Sequence, residues 1–123
     1  MSKNVDMEKL ATQVADYGFA YLITLGENGR IHTSAVTPVV DGHTLTVAAP
    51  SDRVRANTSA RPTISLVWPP AEAEGYSLIL DGDARADAGT LTITPTRAIL
   101  HRPAPRSIPA PDASSCSSDC VEL

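Results

Sequence analysis

Cysteine is nearly missing from this 123-residue chain: both copies, Cys116 and Cys120, fall in the last eight residues. No disulfide can staple anything between Met1 and Ser115, a pattern that fits a reducing compartment. Aromatics are also scarce, with one Trp, one Phe and three Tyr, so a core must be built from Val, Ile, Leu and Ala. No apolar run approaches the roughly 20 residues of a membrane span, and no secretory leader pattern follows the start. We therefore expect a cytoplasmic protein with no membrane partner. Ten Lys and Arg stand against 14 Asp and Glu, a net charge of −4, which argues against a nucleic-acid partner. Catalytic signatures are missing as well. The chain has no nucleophile elbow, P-loop or dinucleotide glycine pattern, and His32, His43 and His101 lack metal-binding spacing.

What is present is the patterning of one small β-rich domain. An apolar fraction of 42% with 20% charged residues is ordinary for a globular chain. Asn4 to Tyr17 reads as an amphipathic helix, with Met7, Leu10, Ala11, Val14 and Tyr17 on one face and Gly18 as its stop. From Phe19 the period changes to two. Phe19, Tyr21, Ile23 and Leu25 alternate up to Gly26-Glu27-Asn28-Gly29, whose Asn-Gly is a hairpin signal. A return strand is predicted from Arg30 to Val40, a turn at Asp41-Gly42, and a third strand from Thr44 to Ala49.

Further strands are predicted over Thr63–Trp68, Tyr76–Arg85, Leu91–Thr94 and Ala98–His101, with Pro95 breaking the last two apart. Ala71 to Gly75 reads as an acidic loop, and Trp68 as core or dimer interface. Six or seven short antiparallel strands, an N-terminal helix and one helix inserted after the third strand predict a mainly β protein, a small β-barrel.

The insert itself, Pro50 to Pro62, concentrates positive charge in Arg53, Arg55 and Arg61. Ser51 or Asp52 can cap a helix of about two turns that Pro62 ends. Arg53 and Asn57, four apart, share a helix face. Helix N-terminal amides with arginine forks suit a phosphate or another small anion, although a plain solvated connector has the same spacing. Ala48 and Ala49 let a backbone approach a flat ring or pack tightly between strands, and Thr33 or Ser34 could bond a polar edge or simply face water.

After His101 the composition shifts. Pro103, Pro105, Pro109 and Pro111 precede clustered serines, so residues 1–102 are read as the domain and 103–123 as a flexible Pro/Ser-rich tail. Cys116 and Cys120 in that tail are either merely exposed or capable of conditional redox or metal capture. With only Asp119 and His101 near, no four-ligand metal site is predicted.

Several signals in a fixed order carry a family resemblance over roughly residues 7–101. A hairpin with Gly29-x-x-His32 leads to a third strand ending in small residues. A basic helix then follows, Ser51-x-Arg53-x-Arg55-x-Asn57, ending at Arg61-Pro62 and leading into Ile64-Ser65-Leu66. This resembles the FMN-binding split-barrel family, which includes pyridoxamine 5′-phosphate oxidase-like proteins. The resemblance implies a homodimeric, FMN-dependent oxidoreductase acting on a small molecule, with FMN at the subunit interface. Members using the deazaflavin F420, or binding flavin without turnover, are the alternatives. It further implies that Arg53 binds the FMN phosphate, with Arg55 and Asn57 beside it. His32 through Thr33, Ser34, Ala35 and Val36 would lie along the ring, and Ala48, Ala49, Pro50 and Ser51 near the ribityl phosphate. The substrate motif of true pyridoxamine phosphate oxidases is absent, so vitamin B6 oxidation is not implied. No catalytic side chain is named, since a flavin carries its own redox chemistry.

Overall fold

The computed structural model describes residues 2–103. Eight strands and two short helices make up a mainly antiparallel β fold: β1 (Ser2–Asn4), α1 (Leu10–Val14), β2 (Ala20–Leu25), β3 (Ile31–Val36), β4 (Val39–Asp41), β5 (Thr44–Ala48), α2 (Asp52–Ala60), β6 (Thr63–Trp68), β7 (Ser77–Asp87) and β8 (Thr90–His101). The sheet runs β3-β2-β6-β7-β8-β5-β4. The long β8 takes β7 along one side. Its other side is shared by β5, at residues 90–93, and β1, at residues 99–101.

Three boundaries differ from the sequence expectation, each for a reason of pairing. The helix predicted from Asn4 is shorter, because Ser2–Asn4 is taken as a strand by β8 and the Val5 N–H donates to the Ala98 carbonyl at 2.8 Å. Asp6, not Asn4, then caps a 3-10 turn at Met7–Lys9 that leads into α1. The predicted strand Arg30–Val40 is two strands. Pro38 has no N–H and a fixed φ, so the ladder with β2 stops at Val36 and the chain leaves to pair with β5 instead. Conversely, the two strands expected on either side of Pro95 are one. Pro95 sits opposite Gly82 and Arg97 opposite Asp81, so Thr96 is the extra residue of a bulge that absorbs the proline.

The bend at Thr37–Pro38 sets the architecture. β3 and β4 follow one another in sequence yet stand at opposite ends of the sheet path, which curls the sheet into a barrel left split at that point. Inside, Leu22, Leu45, Leu66, Trp68, Leu78, Leu80, Leu91 and Ile93 are fully buried. At about 2 kcal/mol per buried large aliphatic side chain, this aliphatic cluster is the main source of stability. Val54 fixes α2 to it. The other face of the β2–β3 hairpin points outward and is also apolar: Tyr21 pairs with Ala35, Ile23 with Thr33, and Leu25 with Ile31, which is 71% exposed. Phe19 and Tyr21 meet edge to face on that outer side, 5.0 Å between centroids. Among the described residues no helix is long and apolar enough to cross a membrane.

Candidate functional site

A cleft of about 370 Å³ opens where the barrel is split. One wall is β3, at Ser34, Ala35, Val36 and Thr37; the other is the end of β5 and its exit, from Val47 through Ala48, Ala49 and Pro50 to Ser51. Leu22 and Val54 close it toward the core. Since β3 ends the sheet path, its far edge pairs with no strand among the described residues, leaving main-chain donors and acceptors for a ligand. Small side chains at Ala48 and Ala49 let a flat molecule come close to the wall at the end of β5.

The start of α2 opens onto the same cleft. Ser51 is the N-cap, its Oγ accepting from the Val54 N–H at 3.2 Å. The first helical bond runs from the Arg55 N–H to the Ser51 carbonyl at 2.9 Å. The N–H groups of Asp52 and Arg53 precede that bond and have no intrahelical acceptor, which is the ordinary condition for anion binding at a helix start. Arg53 is exposed and Arg55 half-buried on this first turn and a half. Asp52 is exposed beside them and is placed to interact with the helix dipole.

The residues singled out in the sequence separate into three groups. Ser34, Ala35, Val36, Ala48, Ala49, Pro50 and Ser51 converge on the cleft although the chain between the two walls includes a turn and two strands. Arg53 and Arg55 stand on the helix that leaves it. Thr33 and Asn57 are placed elsewhere. Thr33 stands with Ile31 on the outer face, opposite Ile23, because β3 alternates half-buried His32, Ser34 and Val36 with exposed neighbours. Asn57 is turned inward and buried, its Nδ2 donating to Thr24 Oγ1 at 3.0 Å. It ties α2 to β2, and Gly26 leaves room for it: a Cβ there would lie 3.1 Å from Asn57 Oδ1.

Leu22, Thr37, Val47 and Val54 line the cleft without having been anticipated. Their only sequence signal was alternation in β2 and β5 and helical spacing from Ser51. A larger hollow of about 640 Å³ lies between Thr58, Ser59 and Pro62 and the β7–β8 hairpin. Its charged side chains are Asp83, Arg85 and Asp87, acidic in balance, and it includes no helix start, so an anionic ligand is disfavoured there. Among the described residues no group of three metal-ligating side chains occurs, and Cys116 and Cys120 lie outside them.

No family model matches the chain. Uncharacterized proteins of Mycobacterium bovis and Mycobacterium tuberculosis are each 40% identical to it, covering 98% of this chain and 95% of theirs. Among solved structures, a candidate pyridoxamine 5′-phosphate oxidase from Listeria innocua superposes with a TM-score of 0.63 at 12% identity, over 76% of this chain and 96% of its own. The FAD binding protein from Mycobacterium smegmatis gives 0.60 at 14% identity, over 83% and 100%. A protein described as an F420 reductase gives 0.56 at 14% identity, over 65% and 87%. The fold is the split barrel of the pyridoxamine 5′-phosphate oxidase-like, flavin-binding proteins. Within it, the chain belongs to the family of the two mycobacterial proteins.

Proposed function

We propose that this protein binds FMN in the split-barrel cleft and works as a cytoplasmic, homodimeric flavin-dependent oxidoreductase on a small-molecule substrate. One observation carries the reading: an edge of β3 that pairs with no strand among the described residues faces a capped, arginine-bearing helix start across a narrow cleft lined by alanines. The β3 edge from Ser34 to Val36 suits the polar rim of a flavin ring, whose donors and acceptors match free main-chain groups. The amides of Asp52 and Arg53, with the Arg53 guanidinium, suit a phosphate monoester. Ala48 and Ala49 admit the ribityl chain between them. When bound, the flavin supplies the hydride or electron transfer, and the chain's part is to hold it, orient it and keep water from one face.

The dimer is supported by the outer face of the β2–β3 hairpin. Phe19, Tyr21, Leu25 and Ile31 expose there large apolar side chains of a kind usually covered by a partner. F420 is the second reading, favoured by the F420 reductase among the structural neighbours. A helix-start anion site accommodates either phosphate.

The test is an absorbance spectrum of the purified protein before and after titration with FMN, with F420 in parallel. A flavin spectrum, weakened about tenfold or more in apparent affinity by Arg53→Ala, is the expected result; about 1.4 kcal/mol corresponds to that factor. Binding at full strength in Arg53→Ala sinks the phosphate assignment. Tight F420 binding without FMN binding moves the chemistry to the deazaflavin, and reoxidation of a reduced nicotinamide separates an enzyme from a carrier.

A further inference from the structure

Six described residues have a positive φ. Gly29, Gly42 and Gly89 adopt it without penalty, and Asn28 is a side chain that tolerates it comparatively well. Ala88 shares the β7–β8 hairpin turn with Gly89. Ala49, at φ 48°, is different: it sits in no hairpin but at the bend between β5 and α2, on the wall of the cleft. An alanine held there is strained, because its Cβ crowds the neighbouring carbonyl in a left-handed conformation.

Such strain persists only where the surroundings fix the conformation. Here they do so from both sides. The Ala49 N–H donates to the Gly89 carbonyl at 2.8 Å, tying the bend to the opposite hairpin turn, while Ala48 is held in register with Thr90. Directly beyond, Pro50 fixes φ and Ser51 caps α2. The bend therefore decides in which direction the helix start points, and Ala49 lines the cleft.

We propose that Ala49 is a positioning residue of the cofactor cleft, where a rigid bend is retained at the expense of fold stability. The inference rests on the flavin reading above and extends it to the origin of the site's shape. A glycine would hold the same bend without strain, but would leave a looser approach to the helix.

The experiment compares the full chain with Ala49→Gly and Ala49→Ser, in flavin-free thermal melts and in FMN titrations followed by flavin fluorescence. Ala49→Gly is expected to melt about 4 °C higher without flavin and to bind FMN about tenfold more weakly. Ala49→Ser keeps the Cβ and is expected to match the wild type in both. Unchanged or tighter FMN binding by Ala49→Gly overturns the inference while leaving the flavin reading in place. A lower melting temperature overturns the strain argument. A wild-type chain that binds neither FMN nor F420 overturns both the flavin reading and this inference.

Discussion

Asn57 shows how one side chain changes role between the line of residues and the fold. Its spacing from Arg53 places both on one ligand-facing side, yet the amide is buried against Thr24. Four residues make slightly more than one helical turn, and this helix packs its Val54, Asn57 and Thr58 side onto the barrel. Asn57→Ala removes the donor that satisfies Thr24 Oγ1 in a buried setting and leaves a small void. A loss of about 2 kcal/mol is expected, measured as a lower urea midpoint without flavin. Had Asn57 served the cofactor directly, the same change would weaken FMN binding at unchanged flavin-free stability. The two outcomes are cleanly separable.

Among the elements, β8 is the one whose continuity was misjudged from sequence. Pro95 lacks a ladder donor, which locally argues for a break. What preserves the strand is its partner: Gly82, opposite Pro95, has no side chain, so the two backbones close up around the bulge. A Cβ on Gly82 would stand 2.5 Å from the Thr94 carbonyl oxygen and 3.2 Å from Pro95 Cα, and neither is a flexible side-chain end. Gly82→Ala is expected to destabilise the fold by about 2–3 kcal/mol through forced backbone displacement, seen as a lower thermal midpoint. Beside the bulge, Asp81 accepts from Ser65 Oγ at 2.7 Å and from Arg97 at 3.1 Å, linking β6, β7 and β8 on the outer face. This exposed pair contributes little by itself, as surface ion pairs do. By contrast, α2 was readable locally. Its cap, its start and its proline stop are consecutive signals within one stretch, and the structure has Ser51 capping a helix that ends at Ala60.

For the whole molecule, the outward apolar face of β2 and β3 bears on assembly. Ile31 is the most exposed of its large side chains. Ile31→Asp is expected to leave the stability of a single subunit within about 0.5 kcal/mol. It should also shift the sedimentation of the protein from dimer toward monomer. A protein already monomeric, or a dimer indifferent to this change, would place the subunit interface elsewhere.

Elements whose signals are local were legible in the order of residues alone. These are the period-two runs, the Asn-Gly turn, the capped basic helix and the small residues near it, because each depends on dihedral preferences within a few residues. The family resemblance, rather than those signals alone, implied the segments from Ser34 to Val36 and from Ala48 to Ser51, and the structure lines one cleft with both. What depends on partners distant in sequence was settled by the packed fold. It made Ser2–Asn4 a strand of β8 and sent the chain across the split at Pro38. It also turned Thr33 outward and Asn57 inward. Free main-chain groups and packed neighbours are satisfied wherever the fold brings a partner, and no local preference specifies which distant strand that will be.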